Sequence, residues 1–154
     1  MKTYKHIFFD LDHTLWDFEA NSKKALQQIF EEQNLGEKGI PSFESFHAKY
    51  LPINDRYWAR YHHGFVPKEK LRVGRFHDTL KEFNVDDEVL AEAIAASYLS
   101  ISPKMTALFA DAMEVLKYLQ DKYPNKIRFK NSKIISSRRR EKKDPTLQVQ
   151  CLHV

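Results

Sequence analysis

Two carboxylates spaced two residues apart close the first apolar run of the chain: His6-Ile7-Phe8-Phe9 ends at Asp10, and Asp12 follows after Leu11. A short continuous apolar run of this kind reads as a strand buried on both faces of a parallel sheet. The loop after such a strand lies at the carboxyl edge of the sheet, where open α/β folds bind ligands. Alternation sends Asp10 and Asp12 to the same side if the extended chain continues. Two carboxylates held together repel, which keeps one of them protonated or recruits a divalent cation. One ionised nucleophile beside one proton donor is the division of labour that covalent phosphoryl transfer requires. The plain alternative for two aspartates at a strand end is a solvated turn.

The elements that must position this pair follow from hydrophobic spacing. Helical periodicity from about Asn21 to Asn34 puts Ala25, Leu26, Ile29 and Phe30 on one face, with a stop at Asn34-Leu35-Gly36. Ser42 caps a second helix carrying Phe43, Phe46, Tyr50 and Leu51, and Pro52 is expected to interrupt it before it resumes with Ile53, Tyr57, Trp58 and Tyr61. Pro67 fits the first turn of a third helix bearing Leu71, Phe76, Leu80 and Phe83. Asp86-Asp87 opens a fourth with Val89, Leu90, Ala93, Ile94 and Tyr98 inward, and Pro103 ends the run. Four amphipathic helices in succession predict a small bundle. A last helix from about Ala110 to Tyr123 carries Met113, Leu116, Leu119 and Tyr123 on its inner face.

The run Phe8-Phe9-Asp10-Leu11-Asp12-His13-Thr14-Leu15 resembles the first motif of the haloacid dehalogenase-like (HAD) hydrolases, an apolar strand followed by D-x-D-x-T-[LV]. The continuation Leu15-Trp16-Asp17-Phe18, four helices and then a return helix looks like the branch with a helical cap inserted after that motif. Within it, the wording is most similar to the noncanonical pyrimidine nucleotidases, which hydrolyse nucleoside 5′-monophosphates. The resemblance implies an α/β fold, a HAD-like Rossmannoid core of which the first strand and one helix are recognisable, with an inserted four-helix cap. It divides the chain into 1–15 (first core strand and motif), 16–101 (cap), 102–125 (return to the core) and 126–154 (basic tail). It further implies a phosphomonoester hydrolase working through an aspartyl-phosphate. Asp10 would be the nucleophile and a Mg²⁺ ligand. Asp12 would be the general acid and base, with its backbone carbonyl also on Mg²⁺, and Thr14 would hold the loop. The implied cofactor is Mg²⁺, and the implied partner is a small phosphomonoester, a nucleotide above all.

The family's later motifs are a strand ending in Ser or Thr, then a Lys or Arg, then an acidic pair. In 126–154 only Ser136, Lys142 or Lys143, and the lone Asp144 imitate them. A five-stranded doubly wound sheet needs on the order of 80–100 residues, more than 1–15 and 102–125 supply. The expectation is therefore that the family pattern ends near Tyr123–Ile127 and that a frameshifted or unrelated ending follows, which the coding DNA tests. The competing function class is a noncatalytic fragment with at most nonspecific polyanion binding.

Charge agrees with that division. The chain of 154 residues has a net charge of +4, with 42% apolar, 30% charged and 13% aromatic residues, an ordinary globular mixture that excludes disordered and collagenous classes. Residues 1–125 hold 16 Lys/Arg and 19 Asp/Glu, whereas 126–154 hold 9 and 2. The basicity therefore belongs to the tail, and Arg138-Arg139-Arg140-Glu141-Lys142-Lys143 offers clustered cations without an ordered element to aim at bases. No specific nucleic-acid partner and no membrane partner are expected. One cysteine, Cys151, and an N-terminus without a long apolar run point to a cytoplasmic setting.

Other candidates have bland readings beside functional ones. Tyr57, Trp58, Tyr61, His62 and His63, with Arg56 and Arg60, have the makings of a nucleobase platform, but at helical spacing they read first as packing. Adjacent His62 and His63 point to different sides of a helix, against a shared metal. His13 reads as a loop residue. Arg72 and Arg75, three apart, suit a phosphate or carboxylate, with a solvated helix face as the expected reading.

Overall fold

The computed structural model describes residues 7–123 and 127–130. The weak strand expected at 133–136, Ser136, the run 138–143, Asp144 and Cys151 lie outside them. In chain order the elements are β1 (Ile7–Asp10), α1 (Phe18–Glu32), α2 (Phe43–His62), α3 (Lys68–Lys81), α4 (Glu88–Ile101), a 3₁₀ turn (Ser102–Lys104), α5 (Ala112–Lys122) and β2 (Ile127–Lys130). They form two compact units, Met1–Asn21 with Thr106–Val154 and Ser22–Met105. The division falls inside α1 and just after Met105, a few residues from the junctions at 15/16 and 101/102 read from the sequence.

In the helical unit, Ala25, Leu26 and Ile29 of α1 meet Phe46 and Tyr50 of α2, Phe76 and Leu80 of α3, and Ile94 and Tyr98 of α4 in one buried cluster. Burying a side chain of this size contributes about 1.5–3 kcal/mol. Ser42 caps α2, its hydroxyl accepting the Ser45 N–H at 3.1 Å, and Asp87 caps α4, its carboxylate accepting the Leu90 N–H at 2.9 Å. Both caps satisfy amides that the first turn leaves without helical partners.

The helical unit departs from its sequence pattern at three points. Pro52 does not interrupt the second helix, and α2 runs unbroken through it. Pro52 and Ala48, whose carbonyl loses its helical donor, both lie on the exposed side, where a carbonyl is open to solvent, while Tyr50, Ile53 and Tyr57 anchor the other side. Val89 is 77% exposed and the inner face of α4 is Leu90, Ala91, Ile94, Ala95 and Tyr98. Arg75 is buried rather than on a solvated face, because it shares its side of α3 with Leu71 and Thr79, one turn away on either side.

A smaller cluster joins Ile53, Tyr57 and Leu71, with Trp58 and Tyr61 packed on it, so these three aromatics pack as expected; His62, His63 and Phe65 are exposed. Gly74 lets α2 and α3 come close: a β-carbon there would stand 2.7 Å from the Tyr57 hydroxyl oxygen. That hydroxyl donates to Asp78 at 2.9 Å. Burial, reinforced by the Asp78 carboxylate, pushes the Tyr57 phenol up to about 12. Because the fold prefers the neutral phenol, its contribution to stability is complete below the ordinary phenol pKa of about 10 and is lost as pH rises towards 12. The urea midpoint is therefore expected to fall between pH 10 and 12, and Tyr57→Phe to flatten that fall; an equal slope in the variant refutes the assignment.

In the other unit, β1 and β2 pair in parallel, Ile7 opposite Ile127 and Asp10 opposite Lys130. The sequence reading placed 127–130 in the basic tail; the structure gives these four residues to the sheet. β1 itself is not covered on both sides, for Phe8 is 66% exposed while Ile7 and Phe9 are half-buried. The face of α5 expected to be inward is only partly covered. Leu116, Leu119 and Tyr123 are half-buried and Met113 is 49% exposed, with Val115 and Tyr118 exposed beside it. Among the described residues the sheet has two strands, too few to cover both a strand and a helix.

Candidate active site

Asp10 is the last residue of β1 and its carboxylate accepts the N–H of Leu11 at 3.0 Å. From there the chain turns around one atom. The carbonyl oxygen of Leu11 accepts the N–H groups of Trp16 at 2.9 Å, Leu15 at 3.0 Å and Thr14 at 3.4 Å, and the His13 N–H donates to the Trp16 carbonyl at 3.1 Å. These bonds pair Asp12 with Trp16 as a short bridge without using the Asp12 carbonyl. Asp10, Asp12 and Thr14, the three residues singled out from the sequence, come out exposed on this single loop. Thr14 joins the loop's bonding through its N–H.

His13 takes a left-handed conformation, φ 58°, which bulky side chains adopt at a cost. Its ring lies 5.1 Å from that of Phe18, and Trp16 meets the same Phe18 edge-on at 5.9 Å. The loop is thus fixed at its tip by ring contacts and at its base by buried Leu15 and Trp16.

Two further residues hold the loop, and the sequence reading named neither for this. Asp17 starts α1, its carboxylate accepting the Ala20 N–H at 3.0 Å; an acidic residue just before Phe18-Glu19 is a capping signal. Asn21, fully buried, donates to the carbonyls of Asp17 and Ala107, both at 2.7 Å, and accepts the Ala107 N–H at 2.8 Å. The Asp17 N–H also donates to Ala107, and the Phe109 N–H to the Leu15 carbonyl. The segment returning to the core is therefore laced to the segment leaving the loop. Asn21→Ala strands the N–H of Ala107 and leaves its carbonyl with the Asp17 N–H alone, and is expected to cost about 1–3 kcal/mol, read as a lower urea midpoint at unchanged m; an unchanged midpoint refutes it.

Among the described residues no group of three or more His, Cys, Asp or Glu is gathered for a metal, and no helix is long and apolar enough to cross a membrane. The loop itself offers a carboxylate and a backbone carbonyl. These are hard oxygen donors, and Mg²⁺ commonly takes one or two carboxylates and completes its shell with water and substrate phosphate. The donor set fits that ion.

A parallel strand ending in Asp-x-Asp-x-Thr, a helical unit inserted after that loop, and a helix leading back to a neighbouring parallel strand define the start of a HAD-type hydrolase, and the chain belongs to that superfamily. No protein-family model matches the sequence. The chain is 30% identical over 124 residues to HAD-hydrolase YfnB of Bacillus subtilis, a match covering 80% of this chain and 49% of that protein. It is 32% identical over 85 residues to the pyrimidine 5′-nucleotidase PynA of Streptococcus pneumoniae, covering 55% of this chain and 34% of the relative. Its structure is similar to that of YfnB bound to magnesium, with a TM-score of 0.69 and 26% identity over 83% of this chain and 51% of YfnB. The chain thus spans a third to a half of the length of these relatives.

Proposed function

We propose that this chain carries the nucleophile loop of a Mg²⁺-dependent phosphomonoester hydrolase whose substrate is a nucleoside 5′-monophosphate. The observation that carries the reading is the exposure of Asp10 and Asp12 on one tight loop at the carboxyl end of a parallel strand. An Asp10 oxygen attacks phosphorus, the ester P–O bond breaks, and Asp12 gives its proton to the leaving alkoxide. Asp12 then takes a proton from water, which attacks the aspartyl-phosphate, releases phosphate and restores Asp10. Thr14 keeps the loop in register. Mg²⁺ held by the Asp10 carboxylate and the Asp12 carbonyl would offset the repulsion between nucleophile and phosphate. The pyrimidine 5′-nucleotidase among the relatives supports the nucleotide class.

The test is phosphate release by the purified chain from nucleoside 5′-monophosphates and an aryl phosphate in Mg²⁺. Release that stops on adding EDTA is expected, and none above background overturns the reading. A second reading, a noncatalytic chain, is favoured by the uncovered apolar surface of Phe8, Met113 and Tyr118, since an enzyme core ordinarily covers such side chains. The same assay decides between the two.

A further inference from the structure

Arg75 is a buried cation without a counter-charge. Its side chain, 5% exposed, lies with the guanidinium carbon 4.8 Å from the Phe76 ring centre, 5.1 Å from that of Tyr98 and 5.9 Å from that of Tyr50. One Nη donates to Asn54 Oδ1 at 2.8 Å, and the same oxygen accepts the Tyr50 hydroxyl at 3.1 Å. The Nε of Arg75 is buried with no acceptor, and so is the Nε of Arg72, which neighbours it on the helix surface. Among the described residues neither guanidinium forms an ion pair. Of the acids of α3 and the following turn, Asp78 is engaged with Arg56, Glu82 with Lys49 and Asp86 with His77 and Lys81, while Glu69, one turn before Arg72, is exposed and makes no ion pair among the described residues. Asp55, on α2, is exposed. Ring faces attract a cation and an amide oxygen accepts one of its protons, yet neither supplies negative charge, and a buried charge is costly unless paired.

We propose that Arg72 and Arg75 form a binding site for a phosphate-type oxyanion inside the helical unit, with Asn54 fixing the Arg75 guanidinium. Two cations with unsatisfied donors match a phosphate dianion in charge, where a carboxylate would neutralise only one. A tetrahedral oxyanion also presents several oxygens to planar, fork-shaped donors. The site lies wholly within Ser22–Met105 and does not depend on the activity of the Asp10 loop.

The test is thermal unfolding of the full chain in EDTA, with sodium phosphate titrated against sodium chloride at equal ionic strength. A saturable rise in Tm of roughly 2–6 °C is expected with phosphate. Asn54→Asp, which sets a carboxylate against Arg75, and Arg72→Gln should each abolish the rise, while Asp10→Asn keeps it. No saturable rise in the wild type, a rise surviving in either cap variant, or one lost in Asp10→Asn overturns the proposal. Titration with glycerol phosphate separates the sources: tighter binding than inorganic phosphate marks an ester as the ligand, equal or weaker binding the free ion.

Discussion

Asp10→Asn is expected to lower the rate of phosphate release by on the order of 10⁴-fold or more, because the amide cannot attack phosphorus and no covalent intermediate forms. The substitution spares the fold. Asn retains the oxygen that accepts the Leu11 N–H at 3.0 Å, and the side chain is exposed, so the change in stability should stay within about 0.5 kcal/mol. Loss of rate with an unchanged melting curve is the signature; a variant that keeps a tenth of the activity removes Asp10 from the nucleophile's role. Asp12→Asn adds a second discrimination. An aryl leaving group needs little protonation whereas a nucleoside alkoxide needs it, so the variant should lose more rate on the nucleotide than on the aryl phosphate if Asp12 is the general acid.

Phe76→Ala is expected to cost about 3–5 kcal/mol, a large fraction of the stability of a domain this size. Phe76 is fully buried, stacks on Tyr50 at 5.4 Å and 12°, and meets Tyr98 at 5.9 Å. It also supplies the ring nearest to Arg75, at 4.8 Å. Removing the ring therefore leaves a void and strips a buried cation of part of its surroundings, which places the cost near the top of the range. Urea unfolding followed by helical circular dichroism measures it. The control is Val89→Ala on α4, which the same hydrophobic pattern would rank as a core change; at 77% exposed it should move stability by no more than about 0.5 kcal/mol. A large loss at Val89 or a small one at Phe76 contradicts the packing described.

What was legible in the sequence is what a strong local signal marks. The Asp10–Leu15 loop, the Ser42 and Asp87 caps, and the buried periodicity of Leu26, Phe46, Phe76 and Ile94 all follow from spacing and residue type. What escaped depends on tertiary context. Pro52 reads as a breaker because its missing donor is local, whereas the anchoring of Tyr50, Ile53 and Tyr57 that carries α2 past it is not. Arg75 reads as a surface cation until the rings of three helices are seen around it. β2 alternates Ile127 and Phe129 with Arg128 and Lys130, a strand pattern only four residues long inside a basic stretch, and its partner is β1 at the far end of the chain. Asn21 is silent in the sequence because both of its distant bonds go to the backbone of Ala107, and backbone partners leave no mark on residue type.

The pairing of Ile7 with Ile127 has a consequence for how the chain is made. At ~5–20 residues per second of synthesis, β1 leaves the ribosome roughly 6–24 s before its partner exists. The intervening helical unit is rich in local contacts and has time to fold in that interval, while Phe8-Phe9 waits as an unpaired apolar strand. Strands in that state are the sites at which nascent chains associate wrongly. The tight turn around the Leu11 carbonyl and the charge at Asp10 end the strand after four residues, so the loop that presents the carboxylates also limits the segment available for mispairing during synthesis.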